Sequence, residues 1–451
     1  MDHVVTPWAA MRMLSKRQWQ FFLCAWSAWI LDALDFFTAS LTLTQLGKQF
    51  NKTNTQITWG ITLVLMLRSV GSILVGVLSD RFGRRWPFVL NLVAFGVIEL
   101  GTGFCQTYSQ FLGCRAVFGI AMGGIYGNAA ATALEDVAPQ ARGLISGLFQ
   151  AGYPIGYLLA TVFSRALVYT TPQTWRSLFW FTAGLPIPII AWRLCLPETE
   201  AYRQREQRNR ASSFIKEGSI AIKDHWLTLC YLVVLLAGCN FMTHGAQDFY
   251  PTLLVSQFGF SPNQVTITQV VANLGCATGA ILGGYLSEIF GRRLTVIAFC
   301  VLAAALCYPY TYVTTEAVAA AAFFLQLGVQ GAFGVMPTHL MEMAPPVIRT
   351  FVVGTAYQLG NLASSPAAQL QAKIAEEYFP LPPSHTGVKR YDYAKVICAL
   401  ISASVGFVII VAFLGTEKKG RSFYSPDAEE NPPLDSEKHE VRHEERSGSV
   451  C

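Results

Sequence analysis

Charge is what this chain has least of. Only 14% of its 451 residues are Asp, Glu, Lys or Arg, where a soluble protein carries about a quarter. No G-x-x-x-x-G-K-[ST] run is present to cradle nucleotide phosphates. The 11 cysteines show no C-x-x-C or C-x-x-H spacing, and several sit inside apolar runs (Cys24, Cys105, Cys230, Cys239, Cys276, Cys300), so they read as small apolar residues rather than a metal site or disulfide framework. No nucleophile–base spacing points to an enzyme. Neither a cofactor nor a nucleic-acid partner is expected. The start, MDHVVTPWAAMRMLSKRQWQ, lacks a basic stretch leading into a short apolar core with a small-residue cleavage site, so no cleavable leader is expected.

What the chain has in abundance is apolar length. Hydrophobic residues make up 52% and mean hydropathy is +0.38. Twelve blocks reach membrane-spanning length: 18–46, 57–79, 86–106, 110–133, 143–164, 177–195, 226–255, 263–287, 294–313, 315–339, 348–372 and 394–415. The fold class is therefore an all-α, multi-pass membrane protein with the lipid bilayer as its surroundings. With both termini placed in the cytoplasm, most of the 33 lysines and arginines fall on that side, many of them in ETEAYRQREQRNRASSFIKEG between spans six and seven. The sequon Asn51-Lys52-Thr53 then faces outward. This divides the chain into a cytoplasmic N-terminus (1–17), a six-helix bundle (18–195), a basic linker (196–225), a second bundle (226–415) and a polar tail (416–451) expected to be disordered.

The two bundles are repeats. GVLSDRFGRR (76–85) recurs as GYLSEIFGRR (284–293), and Glu135, Pro139 and Arg142 recur at almost the same displacement as Glu342, Pro346 and Arg349. An acidic residue at a helix end suits the partial positive charge at the N-terminus of another helix. Asp80 is therefore expected against span eleven and Glu288 against span five. Arg84, Arg142, Arg292 and Arg349 stand nearby as partners, the whole set serving as a cytoplasmic gate.

Polar residues inside the spans are few, and in a bilayer such groups face a cavity and serve function. Span seven contains NFMTHGAQDFYPT (240–252), which places Asn240, Thr243, His244, Gln247 and Asp248 within an arc of about 140° on a helix. The matching place in span one, WILDALDFFTASL, carries Asp32 and Asp35. Arg68 and Arg115 add positive charge in spans two and four. A guanidinium fork suits a carboxylate; Arg115 is the choice for an anionic substrate, and Arg68 pairs with an aspartate of span one. Glu99 stands as a lone carboxyl, either a packed hydrogen-bond donor or a coupling site.

The doubled loop motif with six-plus-six spans resembles the major facilitator superfamily, which implies two six-helix bundles rocking about a midplane cavity. Asn240-x-x-Thr243-His244-x-Ala246-Gln247-Asp248-x-x-x-Thr252 further resembles the N-x-x-[ST]-H-x-[ST]-Q-D-x-x-x-T signature of fungal JEN carboxylate permeases, within the sialate:proton symporter family. DALDFF (32–37), IELGTGF (98–104), QAGYPIGYLLA (150–160) and GTAYQLGNLASS (354–365) carry the likeness across both halves. Ala246 departs from it, standing where that family has Ser or Thr. The resemblance implies proton-coupled uptake of lactate, pyruvate, acetate or propionate across a plasma membrane, with malate and succinate in a related branch. It implies functional roles for Asn240, His244, Asp248 and Arg115, with Gln358, Tyr153 and Pro154 shaping selectivity.

The expected partners are thus a small carboxylate and a proton. Arg115 holds the carboxylate, Asn240 and Gln247 hydrogen-bond it, and Asp248 with His244 carries the proton, Asp32 and Asp35 being further proton-coupling candidates. A sugar-acid symporter and a non-transporting receptor on the same fold are the alternatives.

Overall fold

The computed structural model describes residues 5–52, 54–168, 170–203, 214–382 and 390–421. The first four residues, Thr53 of the sequon, the 204–213 part of the basic linker and the tail from 422 onward lie outside the described residues. Twelve helical rods are built from the rest. They are span one (Lys16–Leu41), two (Asn54–Phe82), three (Arg85–Gly103), four (Tyr108–Leu134), five (Arg142–Gln150, continued as Gly152–Leu167) and six (Trp175–Cys195). The second half holds seven (Phe214–Gln247), eight (Pro262–Phe290), nine (Arg292–Tyr312), ten (Val318–Met343), eleven (Arg349–Ser364, continued as Ala367–Tyr378) and twelve (Tyr393–Leu414).

Local sequence explains where the rods begin and end. Ser15 with Gln18, Thr107 with Gln110 and Ser261 with Gln264 form reciprocal capping boxes that start spans one, four and eight. Gly83 (φ 92°) and Gly291 (φ 90°) supply the left-handed backbone that turns span two into three and eight into nine. Two expected spans end early. Span one stops at Leu41 and the chain continues as a separate short helix, Leu43–Phe50. Span seven stops at Gln247 because Pro251 begins a new turn (Tyr250–Thr252), followed by a π-turn over Leu253–Gln257. Its other end bends at His225, whose φ of −115° breaks the helix entering from Phe214.

Ten of the rods are long and apolar enough to cross a membrane. The other two, spans five and eleven, pack along spans eight and two of the opposite half. Protein rather than lipid covers much of their surface, which lets them carry Arg142, Gln150, Arg349, Gln358 and Asn361. Span four crosses span eleven so closely that a Cβ on Gly127 would lie 2.8 Å from the Gly354 Cα.

On the face bearing the repeated loops, carboxylates tie the halves together at helix N-termini. Asp80 accepts from the Thr350 and Phe351 amides of span eleven at 3.2 and 2.8 Å. Glu288 accepts from the Gly143 amide of span five at 2.5 Å. Arg84 lies 3.2 Å from Asp80 and donates to Glu135 at 3.1 Å. The repeat copies this: Arg292 donates to Glu288 at 2.9 Å and to Glu342 at 2.8 Å. Arg142 donates to the carbonyls of Val137 (3.1 Å) and Arg421 (2.7 Å), while Arg349 is buried at the first residue of span eleven. Ser146 to the Gly334 carbonyl (2.8 Å) and Thr338 to the Arg142 carbonyl (3.0 Å) complete the seam.

Removing Arg292 strands the buried Glu342 and takes a partner from the part-buried Glu288, and breaking a buried pair this way costs about 3–5 kcal/mol. Arg292→Ala is expected to lower the thermal unfolding midpoint of the detergent-purified protein by many degrees. Lys373→Ala, which removes an exposed pair with Glu377 (3.8 Å), is expected to leave it almost unmoved.

Candidate functional site

Between the halves lies an enclosed cavity lined by spans two, five, seven, ten and eleven. Its free volume is about 10 Å³, room for about one water. The walls are polar to a degree no soluble-protein core tolerates unpaired. Arg68, Gln150, Asn240, Thr243, His244, Gln330 and Asn361 all face it, with Tyr153, Phe333 and Tyr357 as the apolar lining.

Two charged pairs frame this space. Arg68 is buried and its Nη2 lies 3.3 Å from Asp32 Oδ2 and 2.6 Å from Met122 Sδ, with the guanidinium 5.1 Å from the Phe36 ring centroid. On the other side, His244 Nδ1 lies 2.9 Å from Asp248 Oδ2. His244 Nε2 lies 3.2 Å from Asn361 Oδ1, and Asn361 Nδ2 donates to Gln358 Oε1 at 3.1 Å. Either orientation of the Asn361 and Gln358 amides completes this chain, so it accommodates a neutral imidazole beside an ionised Asp248 as well as an imidazolium. The pair can therefore take up a proton and give it back without losing a contact.

Several buried polar atoms around the cavity have no hydrogen-bond partner among the described residues: Asp32 Oδ1, Arg68 Nε, Gln150 Oε1, Thr243 Oγ1, Gln330 Oε1 and Gln358 Nε2. Donors and acceptors are both left over. Asn240 spends its amide on the Leu236 carbonyl at 2.9 Å.

Access is asymmetric. The stacked rings of Tyr126 and Tyr357 (centroids 3.8 Å apart) meet across the halves, with Trp29 edge-on to both, and these residues are buried. The tied seam closes the face bearing the repeated loops. Asp248, just beyond the end of the span-seven helix, keeps 32% of its side chain exposed.

Several residues do not stand where the sequence placed them. Arg115 is not at the cavity: it is taken up by Glu99, donates to Thr102 at 3.1 Å, and sits 4.1 Å from the Phe118 ring centroid. Glu99 is correspondingly not a lone carboxyl. Gln247 turns toward spans eight and ten, donating to Gln326 at 2.9 Å and Cys276 at 3.4 Å. Asp35, fully buried, lies outside the cavity wall, and so do Gln358 and Asp248, which reach it only through Asn361 and His244. Conversely Gln150, Gln330 and Asn361 were not singled out. Gln150 and Asn361 lie in segments already quoted, QAGYP and YQLGN, and Gln330 is a polar residue inside an apolar run, so each had a signal.

A family model of the Major Facilitator Superfamily matches residues 25–368 and 240–443. The chain belongs to that superfamily. A yeast (Saccharomyces cerevisiae) relative described as "Carboxylic acid transporter protein homolog" is 37% identical over 443 residues, covering 94% of this chain and 72% of the relative. A "Cis,cis-muconate transport protein" from Acinetobacter baylyi is 26% identical over 354 residues, covering 76% and 84%. Among solved structures, the proton:xylose symporter XylE bound to 6-bromo-6-deoxy-D-glucose superposes with a TM-score of 0.73 at 16% identity, covering 91% of this chain and 98% of that one. These relatives are transporters rather than enzymes, and this superfamily protein is a multi-pass membrane protein of the same two-bundle fold.

Ala246 is fully buried, is not part of the cavity wall, and its carbonyl accepts from the Tyr310 hydroxyl at 2.5 Å. Restoring a hydroxyl with Ala246→Ser is expected to leave the ranking of transported substrates unchanged in a competition uptake assay. A reordered ranking overturns this placement.

Proposed function

We propose that the protein is a proton-coupled carboxylate symporter that imports short acids such as lactate, pyruvate or acetate, with both termini cytoplasmic in the plasma membrane. The observation that carries this is the presence, at one cavity, of an incompletely satisfied arginine and of a histidine backed by a carboxylate, a couple able to take up a proton. Relatives named for carboxylic acids, muconate and 3-(3-hydroxy-phenyl)propionate support an organic anion as cargo.

Arg68 takes the role that sequence reasoning gave to Arg115. Its Nε is unpaired and only Nη2 reaches Asp32, at 3.3 Å, so a substrate carboxylate gripping the guanidinium as a fork can compete with that single contact. Thr243 Oγ1, also unpaired, supplies a further donor toward the cavity, and Gln358 acts from behind the wall through Asn361. Asn240 is positioned to contact cargo, while Gln247 acts behind the wall. With Arg68⁺ against Asp32⁻ and the loaded His244–Asp248 pair both neutral, an arriving monoanion adds a single negative charge. Without the extra proton it would add a second, in a site where each charge is costly. Proton loading therefore favours anion binding, and joint passage of one anion with one proton moves no net charge.

Asp248 is reachable from the face opposite the tied seam, which suits proton uptake from outside. Release inward requires the Asp80, Glu288 and Arg142 contacts and the Tyr126–Tyr357 stack to part. The relative named for cis,cis-muconate, a dicarboxylate, favours one second reading, a dicarboxylate as the preferred cargo.

Truncating one partner of a buried charged interaction typically costs about 2–5 kcal/mol, so Arg68→Ala is expected to weaken substrate binding by roughly two orders of magnitude or more. The check is labelled lactate and succinate uptake into proteoliposomes under an inward proton gradient. Uptake by Arg68→Ala with unchanged half-saturation sinks the assignment. Asp248→Asn is expected to abolish gradient-driven accumulation, and pH-dependent accumulation at the parent level removes Asp248 from the coupling path.

A further inference from the structure

Asp35 has no place in the cavity and no ion-pair partner of its own among the described residues. It is fully buried, and neither carboxyl oxygen meets a hydrogen-bond partner among the described residues. The charged groups that bear on it are Glu99 of span three, Arg115 of span four and Asp32 one turn earlier on span one. Its other polar neighbour, Thr182 of span six, lies beside the carboxyl, but its one hydroxyl hydrogen goes to the Phe179 carbonyl at 3.1 Å, which leaves the hydroxyl oxygen to accept from a protonated Asp35. Arg115 is already committed to Glu99 and Thr102 between the rings of Phe118 and Phe179, both fully buried.

Counting charges decides what this cluster needs. Asp32 is answered by Arg68. That leaves two carboxyls, Asp35 and Glu99, facing one guanidinium in a place without solvent. Fully ionised, the cluster carries one uncompensated negative charge on a carboxylate with no donor, which a low-dielectric interior disfavours strongly. Because Glu99 is the one that engages Arg115, the missing proton falls to Asp35.

We propose that Asp35, beside the Glu99–Arg115 pair, is a second proton-binding site in the N-terminal half, separate from the His244–Asp248 pair. Its use in transport rests on the symport reading above. Two loaded sites deepen that reading in one respect: with two protons a dianion crosses without net charge, so the site set suits dicarboxylates as well as monocarboxylates. The neutral Asp35 also spares the cluster a charge that would otherwise compete for Arg115.

Two measurements test this. Dicyclohexylcarbodiimide reacts with protonated carboxyls in apolar surroundings, and peptide mass spectrometry of the treated, full-length protein is expected to find the adduct on Asp35. An adduct on Glu99 instead, or on neither residue, overturns the assignment. In proteoliposomes, Asp35→Asn is expected to keep substrate counterflow, which needs no net proton movement. It is expected to lose the extra accumulation of a dicarboxylate that one further proton sustains, about tenfold for a one-unit pH gradient. Parental accumulation with an unaltered pH profile overturns the second site. Wild-type protein that carries the Asp35 adduct yet exchanges no carboxylate overturns the symport reading and leaves the proton site standing.

Discussion

An ion in the middle of a bilayer has no water to answer it, so each charge there needs a counter-charge, a proton or a cavity. The interior of this protein is organised by that requirement. Arg68 answers Asp32, Arg115 answers Glu99, and His244 answers Asp248. At the loop-bearing face the same rule works with larger groups, where Arg84 and Arg292 each serve two carboxylates. Buried pairs of this kind add little net stability compared with apolar packing. Their value lies in exchange: a pair that is barely favourable can be opened by a substrate or a proton with similar charge.

Duplication supplies the scaffold, and divergence supplies the site. The two acidic loop residues lie against helix N-termini of the opposite half in equivalent fashion, Asp80 on span eleven and Glu288 on span five. The membrane interior does not share that symmetry. Where span one carries Asp32 and Asp35, span seven carries Asn240 and Thr243 at the matching positions. The first half therefore holds its charge in carboxylate–guanidinium pairs, and the second holds a neutral amide relay ending in His244. A rocking motion about the cavity brings two different chemistries to the same cargo.

Much of this was legible from residues alone, for reasons of solvent rather than of detail. Twelve apolar lengths, a repeated loop and a handful of polar residues in spans are consequences of the bilayer, and they survive any uncertainty about packing. What the sequence does not carry is rotation. Arg68 and Arg115 look alike as single arginines in apolar spans, and only the packing of span two against four and eleven decides which one meets the cavity. Gln247 sits in the middle of the polar arc of an ideal helix, yet its long amide reaches Gln326 instead. Asp248 stands at the very end of the helix, its amide still bonded to the His244 carbonyl at 3.1 Å, because Pro251 forces a new turn just beyond it. Glu99 and Arg115 lie 16 positions apart on adjoining spans, so their pairing follows from tertiary packing of spans three and four and not from any local pattern.

The size of the cavity bears on the order of events. With room for about one water, it admits no carboxylate until its walls part, and the polar atoms left without partners lie on both sides of it. An incoming anion is therefore not filling a void. It substitutes for contacts that are present, chiefly the hold of Asp32 on Arg68. Once Arg68 turns to the substrate, Asp32 becomes the unanswered charge, one helical turn from Asp35. A carboxylate in that position must itself gain a proton or regain the arginine. Substrate and proton then contend for the same small set of charges, and a site built from such contention passes one only in the company of the other.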